Sequence, residues 1–162
     1  MKEITFNRAK AGEYAHRWAY SRNPRYMDYT EVWGDEGNFA SQCIYAGCGV
    51  MNHSRNNGWY YHDSRDFSAS WMGPRRLYEF LTENQSFGPY GTDVDSPHDL
   101  QIGDIVFFTD RYSNIYHCAV VSGNTSNELL LTAHCHNAFM RPLSTYAQNA
   151  KYVHLLGARR AE

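Results

Sequence analysis

Apolar residues recur at helical spacing in the first 20 residues of the chain. Ala11, Ala15 and Trp18 lie three or four positions apart, which is the spacing of one face of an α-helix. Asn7 stands just before them and is a preferred N-cap residue. The pattern therefore predicts a first helix over residues 8–20.

Two more helices are predicted before residue 90. Asp35 is placed to cap a second helix, whose apolar positions continue to a glycine near residue 47. Pro74 suits a first helical turn and predicts a third helix over residues 74–84. Between these helices, residues 48–70 are polar, aromatic and glycine-containing, which predicts an irregular segment over the surface, with a binding rim as one interpretation.

Beyond Leu100 the pattern becomes typical of strands. Residues 88–98 are predicted to be a loop, and a turn then leads into a run of β-branched and aromatic residues. Four strands are expected: 100–108 with its leading turn, 115–121, 128–134 and 151–156. Helices followed by strands predict an α+β domain in which N-terminal helices pack on a C-terminal antiparallel sheet.

The composition fits one compact domain spanning residues 1–162. A formal charge of −2 without a run of Lys or Arg argues against nucleic acid or an anionic membrane as partner. The N-terminus lacks a secretory pattern, and no stretch approaches the ~20 apolar residues of a membrane span. A cytoplasmic location and reduced cysteines are therefore expected for the chain as given, and no cofactor is predicted.

Aromatic residues make up 15% of the chain, with 13 Tyr and 4 Trp. Flat amphipathic side chains suit clefts that bind peptides or sugars, although an aromatic core is the simpler explanation for most of them. Trp59 and Trp71 bound the polar stretch between the second and third helices. They are the candidates for a substrate cleft or for an interaction surface.

The segment from Gly34 to Cys43, read with His117 and His134, carries a family resemblance. It resembles the putative amidase domain family, part of the papain-like group of NlpC/P60 and CHAP thiol amidases. Members usually have Asp-Cys-Thr-Asn-Phe where this chain has Asp-Glu-Gly-Asn-Phe at 35–39. The resemblance extends over segments 14–26, 71–81, 100–107, 116–121, 133–134 and 141–143. It implies a papain-like NlpC/P60-type fold.

The resemblance also implies roles for three residues. Glu36 occupies the position of the nucleophilic cysteine, at a helix N-terminus where the macrodipole favours a thiolate. His117 is implied to be the general base; strand alternation places it on the face of Ile115 and Ala119, opposite the residue that follows it. His134, at the end of the next strand, is expected to orient His117. The chain therefore resembles a cysteine-type amidase or peptidoglycan hydrolase that lacks its catalytic cysteine.

Several interpretations of Glu36 stay open. Glu36 can simply interact favourably with the helix dipole and have no other role, or it can act as a base for a water molecule. With His117 and His134 it also forms the ligand types of a facial Zn²⁺ or Fe²⁺ site. Asn38 and Gln42 follow the family pattern and either line the cleft or hold the motif helix. The loss of both family residues at 36 and 37 indicates natural divergence, since alanine or serine is the normal choice for deliberate inactivation.

The other cysteines are not expected to replace the nucleophile. Cys43 is interpreted as a small core residue. Cys118 is expected to point away from His117, and Cys135 to alternate away from its neighbouring histidine, so both are predicted to be buried structural thiols. Cys48 is the candidate free thiol. The side chains of Asp35 and Asp104 are interpreted as cap and turn residues, which assigns them no part in the chemistry.

Three functions compete. The first is a catalytically altered amidase-family domain that binds a peptide or peptidoglycan-like ligand in a retained cleft. The second is an active amide hydrolase that uses water activated by Glu36 and His117 or by a bound metal. The third is a protein-interaction module. Loss of the thiol favours the first and third, while the two retained histidines favour some chemistry.

Overall fold

The computed structural model describes residues 1–146 and 149–162. Its four helices, in chain order, are α1 (Arg8–Trp18), α2 (Glu36–Cys48), α3 (Ala69–Met72) and α4 (Pro74–Glu83). Its strands are β1 (Lys2–Ile4), β2 (Tyr61–Asp63), β3 (Asp66–Phe67), β4 (Gly88–Val94), β5 (Ile105–Thr109), β6 (Ile115–Asn124), β7 (Leu129–Ala133), β8 (Ala138–Pro142) and β9 (Asn149–Arg160). Short 3₁₀ turns lie at Pro97–Asp99 and Leu143–Thr145.

Seven of the strands form one antiparallel sheet. The order is β1-β9-β5-β6-β7-β8, and β4 also pairs with β9. β2 and β3 form a separate two-stranded hairpin. The predicted α+β class, with helices packed on an antiparallel sheet, is confirmed; β1, which was not predicted, joins the sheet from before the first helix. No helix in the described part of the chain is long and apolar enough to cross a membrane.

Both faces of the sheet are buried. One face packs against the helices through a large core that includes Phe39, Ile44, Leu77 and Phe107. The opposite face carries a smaller cluster of seven buried residues: Leu100, Val106, Phe108, Ala119, Val121, Leu131 and Ala133. Alternation along β5 explains the division, since Phe107 and Phe108 point to opposite faces. The central strands are consequently apolar on both sides.

Local sequence explains the helix ends only in part. The side chain of Asn7 accepts a hydrogen bond from the backbone N–H of Lys10 at 3.0 Å, as an N-cap should. α2 ends at Gly49, whose φ of +67° closes the helix with a left-handed residue. Asp35 precedes α2, but its side chain makes no capping hydrogen bond, so the predicted cap role is wrong.

Two segments predicted to be irregular contain regular structure. Residues 88–94 form β4 and pair along β9, where a loop was predicted. The 48–70 segment contains the β2–β3 hairpin and the start of α3. Both errors have one cause: these strands are set by pairing to partners that a local pattern of Gly, Pro and Asp does not reveal.

Asp104 is more than a turn residue. It is fully buried and accepts hydrogen bonds from Arg8 Nη1 at 2.7 Å and from the backbone N–H of Leu155 at 2.9 Å. The ring of His154 and the backbone N–H of Gln101 also contact it, at 2.7 and 2.8 Å. This carboxylate therefore ties the start of α1 to β9 and to the turn before β5.

Candidate active site

Glu36 is the first residue of α2 and lies at the electropositive end of a 13-residue helix. Burial opposes its ionisation, but the nearby His117 ring and the backbone N–H of Glu36 itself outweigh that cost, so the pKa of Glu36 is lowered from its ordinary value. A Cβ at Gly34 would meet a carboxylate oxygen of Glu36. The side chain therefore folds back over the segment that leads into the helix, and carries a negative charge at neutral pH.

His117 is brought to Glu36 by an irregularity in the sheet. The β5–β6 register shifts between Phe108, which pairs with His117, and Thr109, which pairs with Ile115. This β-bulge re-aims the strand end, as bulges beside active sites do. Nδ1 of His117 lies 3.8 Å from Oε1 of Glu36, within ion-pair range but beyond an ordinary hydrogen-bond distance.

The same bulge changes which residues share a face. The His117 ring stacks on Phe108, with centroids 5.5 Å apart, on the side of the sheet that also buries Ala119. Cys118 faces the helices, as expected, and its Sγ lies 3.5 Å from the carbonyl oxygen of Glu36. Ile115 instead packs against the helix-side core. Its predicted placement beside His117 is wrong because strict alternation fails across a bulge.

His134 does not orient His117. Its Nδ1 lies 2.6 Å from Oδ2 of Asp35, and its Nε2 lies 2.8 Å from the carbonyl oxygen of Trp18. The ring also stacks on Phe39 at 3.8 Å. Both ring nitrogens are thus engaged away from His117, and the predicted orienting contact is not formed.

Asp35 is the partner that sequence reasoning missed. Its Oδ1 accepts hydrogen bonds from the backbone N–H of Tyr29 at 3.0 Å and from the side-chain amide of Asn38 at 2.9 Å. The Arg22 guanidinium lies 3.7 Å from Oδ2. Asp35 therefore holds His134 and the preceding loop against the start of α2.

Cys135 also differs from its prediction as a buried structural thiol. Its Sγ accepts a hydrogen bond from the backbone N–H of Asp35 at 2.9 Å, and the negative charge of Glu36 adds to burial in raising its pKa. The residue is partly exposed. β7 ends at Ala133, so alternation no longer applies at Cys135. The end of the strand was the signal that could have revealed this.

The two polar family residues of α2 hold the helix and do not line a cleft. Asn38 is fully buried; its amide nitrogen also donates to the carbonyl oxygen of Met27, and its Oδ1 accepts from Trp71 Nε1 at 2.9 Å. Gln42 accepts a hydrogen bond from the Tyr14 hydroxyl at 2.6 Å. Of the two interpretations left open, packing of the motif helix is the one that these contacts match.

Trp59 and Trp71 are core residues. Both are fully buried, with ring centroids 4.6 Å apart, so their predicted place in a substrate cleft is wrong. The exposed tryptophan near the site is Trp33, whose side chain is 63% exposed and whose ring stacks on Tyr29 at 5.4 Å. It lies on the segment against which the Glu36 side chain folds.

The three residues predicted as possible metal ligands, Glu36, His117 and His134, are not arranged around one point. Both ring nitrogens of His134 are already engaged, one with the Asp35 carboxylate and the other with the Trp18 carbonyl oxygen. Across residues 1–146 and 149–162, no group of three His, Cys, Asp or Glu side chains is arranged to hold a metal ion. Glu36 and His117 remain together as a pair without a third protein ligand.

Comparison with known proteins bears on this arrangement. The profile of a family described as "Putative amidase domain" matches residues 5–156. The uncharacterized protein YhbB of Bacillus subtilis (strain 168) is 27% identical over 156 residues, which cover 94% of this chain and 48% of that protein. The chain thus spans about half the length of the curated relative it matches. Among solved structures, NlpC2 from Trichomonas vaginalis is 15% identical to this chain and superimposes with a TM-score of 0.34. The aligned region covers 82% of this chain and 51% of the NlpC2 chain.

Proposed function

The chain belongs to the putative amidase domain family, and from this premise we propose that it binds a peptide or peptidoglycan-like amide ligand at the site around Glu36 and His117. We further propose that Glu36 stands where a thiol amidase of this type has its cysteine. The observation that carries the proposal is the Glu36 carboxylate at the N-terminus of α2, 3.8 Å from Nδ1 of His117.

This pair suits recognition of an amide. The Glu36 carboxylate offers acceptors for an amide N–H, and the His117 ring offers a donor for a carbonyl oxygen. Trp33 is exposed on the adjoining segment and can stack on a sugar ring or a planar peptide group. The site therefore suits a ligand in which an amide group lies next to an apolar surface or a sugar ring.

Glu36 itself is poorly suited to cleaving the ligand. A carboxylate is a weak nucleophile toward amides, and its attack would form a mixed anhydride. Its lowered pKa also makes it a weak base for a water molecule, because proton transfer is most efficient when the base has a pKa near the working pH. The proposal therefore assigns binding and charge placement to Glu36.

The experiment is titration of muramidase-digested peptidoglycan fragments into ¹⁵N-labelled protein, followed by NMR. Fragments that bind should shift the amide signals of Trp33, Glu36 and His117. Glu36→Gln and Trp33→Ala should each weaken binding about tenfold or more, since one removes a charged partner and the other an exposed ring. The control Glu13→Gln, an exposed carboxylate on α1, should leave binding unchanged. Absence of shifts at these positions with every fragment would overturn the proposal.

A further inference from the structure

We propose that Cys135 supplies the nucleophilic thiol that position 36 lacks, so that the site cleaves the bound amide through an acyl-Cys135 thioester. The inference deepens the proposed function and rests on it, since it requires an amide ligand beside Glu36 and His117. Three neighbouring side chains take part: Cys135, Glu36 and His117.

The position of the sulfur is the first argument. Sγ of Cys135 accepts a hydrogen bond from the backbone N–H of Asp35 at 2.9 Å, directly before the first residue of α2. A thiolate at this point is stabilised by the backbone donor and by the macrodipole of a long helix. A thiol amidase obtains the same environment by placing its cysteine on the helix. Here the thiol reaches it from the turn after β7.

The second argument is the route for the proton. Sγ of Cys135 lies against the backbone N–H of the residue directly before Glu36, and the Glu36 carboxylate lies 3.8 Å from Nδ1 of His117. The thiol, the carboxylate and the imidazole are therefore neighbours in that order, with His117 as the base and Glu36 as the group between thiol and base. Glu36 joins the thiol to the histidine instead of replacing the thiol.

The third argument is accessibility. All four cysteines of the chain are free thiols, and Cys43, Cys48 and Cys118 are buried. Cys43 and Cys118 lie in the core between helices and sheet, where no substrate can reach. Cys135 is partly exposed and is the one thiol among them that an amide bound beside Glu36 can approach.

The backbone around the thiol is held in an unusual conformation. Cys135 and His136 have φ values of +56° and +67°, a region that non-glycine residues seldom adopt and that is retained where surrounding contacts enforce it. The buried contacts of His134 with Asp35 and with the Trp18 carbonyl anchor the residue directly before this turn. They make His134 and Asp35 positioning residues for the thiol.

The reaction balances without an external reagent. The Cys135 S–H proton passes to the Glu36–His117 pair as sulfur attacks the amide carbonyl carbon, and the carbonyl π electrons move to oxygen. When the tetrahedral intermediate collapses, the C–N bond breaks, and the leaving amine takes the proton. Water then attacks the thioester, the C–S bond breaks, and a carboxylic acid and the Cys135 thiol are released.

The resting site holds the thiol in its protonated form. Burial and the nearby carboxylates of Asp35 and Glu36 raise the pKa of Cys135. Attack by sulfur therefore has to be coupled to transfer of the proton past Glu36 to the imidazole of His117. An amide that enters beside Glu36 would exclude water and complete this coupling.

The test is mass spectrometry of muramidase-digested peptidoglycan incubated with wild type, Cys135→Ser and the control Cys48→Ala, with binding measured in parallel by NMR. Wild type and Cys48→Ala should cleave an amide bond, and acid-quenched wild type should carry a hydroxylamine-sensitive adduct on Cys135. Cys135→Ser should bind the fragments with unchanged affinity and lose cleavage by about 10³-fold or more. Circular dichroism would confirm that this variant is folded, and wild type alkylated at Cys135 provides a second inactive form without mutation.

The outcomes separate the two proposals. Binding by every form with no cleavage by wild type, or equal cleavage by Cys135→Ser, would overturn the role of Cys135 and leave the proposed function standing. Absence of binding to any fragment would overturn the proposed function and this inference with it.

Discussion

Asp35 and His134 form a buried carboxylate–imidazole pair at the start of α2, with Oδ2 and Nδ1 2.6 Å apart and each side chain 1% exposed. The second ring nitrogen of His134 lies 2.8 Å from a backbone carbonyl oxygen. Both ring nitrogens of His134 therefore face oxygen atoms inside the protein, and the two side chains form a buried hydrogen-bonded pair.

Breaking this pair should be costly. Asp35→Asn replaces the carboxylate of this buried pair by an amide, and removal of one partner of a buried pair costs about 3–5 kcal/mol. We expect the free energy of unfolding, measured by urea denaturation, to fall by that amount. The matched control Asp95→Asn replaces an exposed aspartate and should change the free energy by less than about 0.5 kcal/mol. Equal effects of the two substitutions would contradict a stabilising role of the Asp35–His134 pair.

The reactivity of Cys135 should depend on Glu36. Burial and the negative charges of Asp35 and Glu36 raise the pKa of the Cys135 thiol above its ordinary value near 9. In wild type, the rate of alkylation by iodoacetamide should therefore still increase with pH above pH 9, because the thiolate is the reacting form. Glu36→Gln removes one negative charge and should lower this pKa, which makes alkylation at pH 8 faster than in wild type.

Peptide mapping by mass spectrometry measures that rate at Cys135 itself. Cys43 and Cys118 provide internal controls, since burial raises the pKa of both thiols far above the ordinary value, and both should stay unmodified in the folded protein. Alkylation at Cys135 that is slower in Glu36→Gln than in wild type would show that Glu36 assists thiolate formation before any ligand binds. It would contradict the resting arrangement described above.

A buried and an exposed tryptophan should affect different properties of the protein, the first its stability and the second its ligand binding. Trp71 is fully buried, and Trp71→Ala should lower the free energy of unfolding by about 3–5 kcal/mol through lost burial and a cavity. Trp33→Ala removes an exposed ring and should change it by less than about 1 kcal/mol, while weakening binding of peptidoglycan fragments. Thermal or urea unfolding of both variants tests this. A large loss of stability in Trp33→Ala would assign Trp33 a structural role.

The sequence predicted what depends on local periodicity. The spacing of Ala11, Ala15 and Trp18 predicted α1, and Pro74 marked the first residue of α4. The α+β class followed from the order of helices and strands. These features depend on neighbours a few residues apart, and nothing distant alters them.

Features that depend on distant partners were predicted less well. Cys135 was assigned to a core because alternation was extended past Ala133, where β7 ends. The contact of His134 with Asp35 joins residues 99 positions apart, and a pattern of residue types does not tell which acceptor a histidine meets. Trp59 and Trp71 sit in a polar stretch, yet long-range packing buries them both. Glu36 and His117 lie close together, as the sequence predicted, but the contacts of His134 and Cys135 required the fold.

Gly37 should set how closely α2 approaches α3. A Cβ at this position would meet the backbone of Met72 and Gly73, which cannot move aside like a flexible side chain. Glycine in a helix is usually disfavoured relative to alanine by about 0.5–1 kcal/mol. In Gly37→Ala this gain is outweighed by overpacking, which typically costs about 1–3 kcal/mol, so the variant should be less stable than wild type.

Gly73, which lies across the helix contact from Gly37, provides the control substitution. A Cβ at Gly73 would lie 3.4 Å or more from the nearest atoms, an ordinary contact distance, and its φ of −97° suits any residue. Gly73→Ala should therefore leave the free energy of unfolding within about 0.5 kcal/mol of wild type. Because α2 carries Asp35 and Glu36 at this end, displacement of the helix in Gly37→Ala should also change the alkylation rate at Cys135, whereas Gly73→Ala should not. A Gly37→Ala variant as stable as wild type would show that the two helices separate without cost, and the site would then not depend on their close approach.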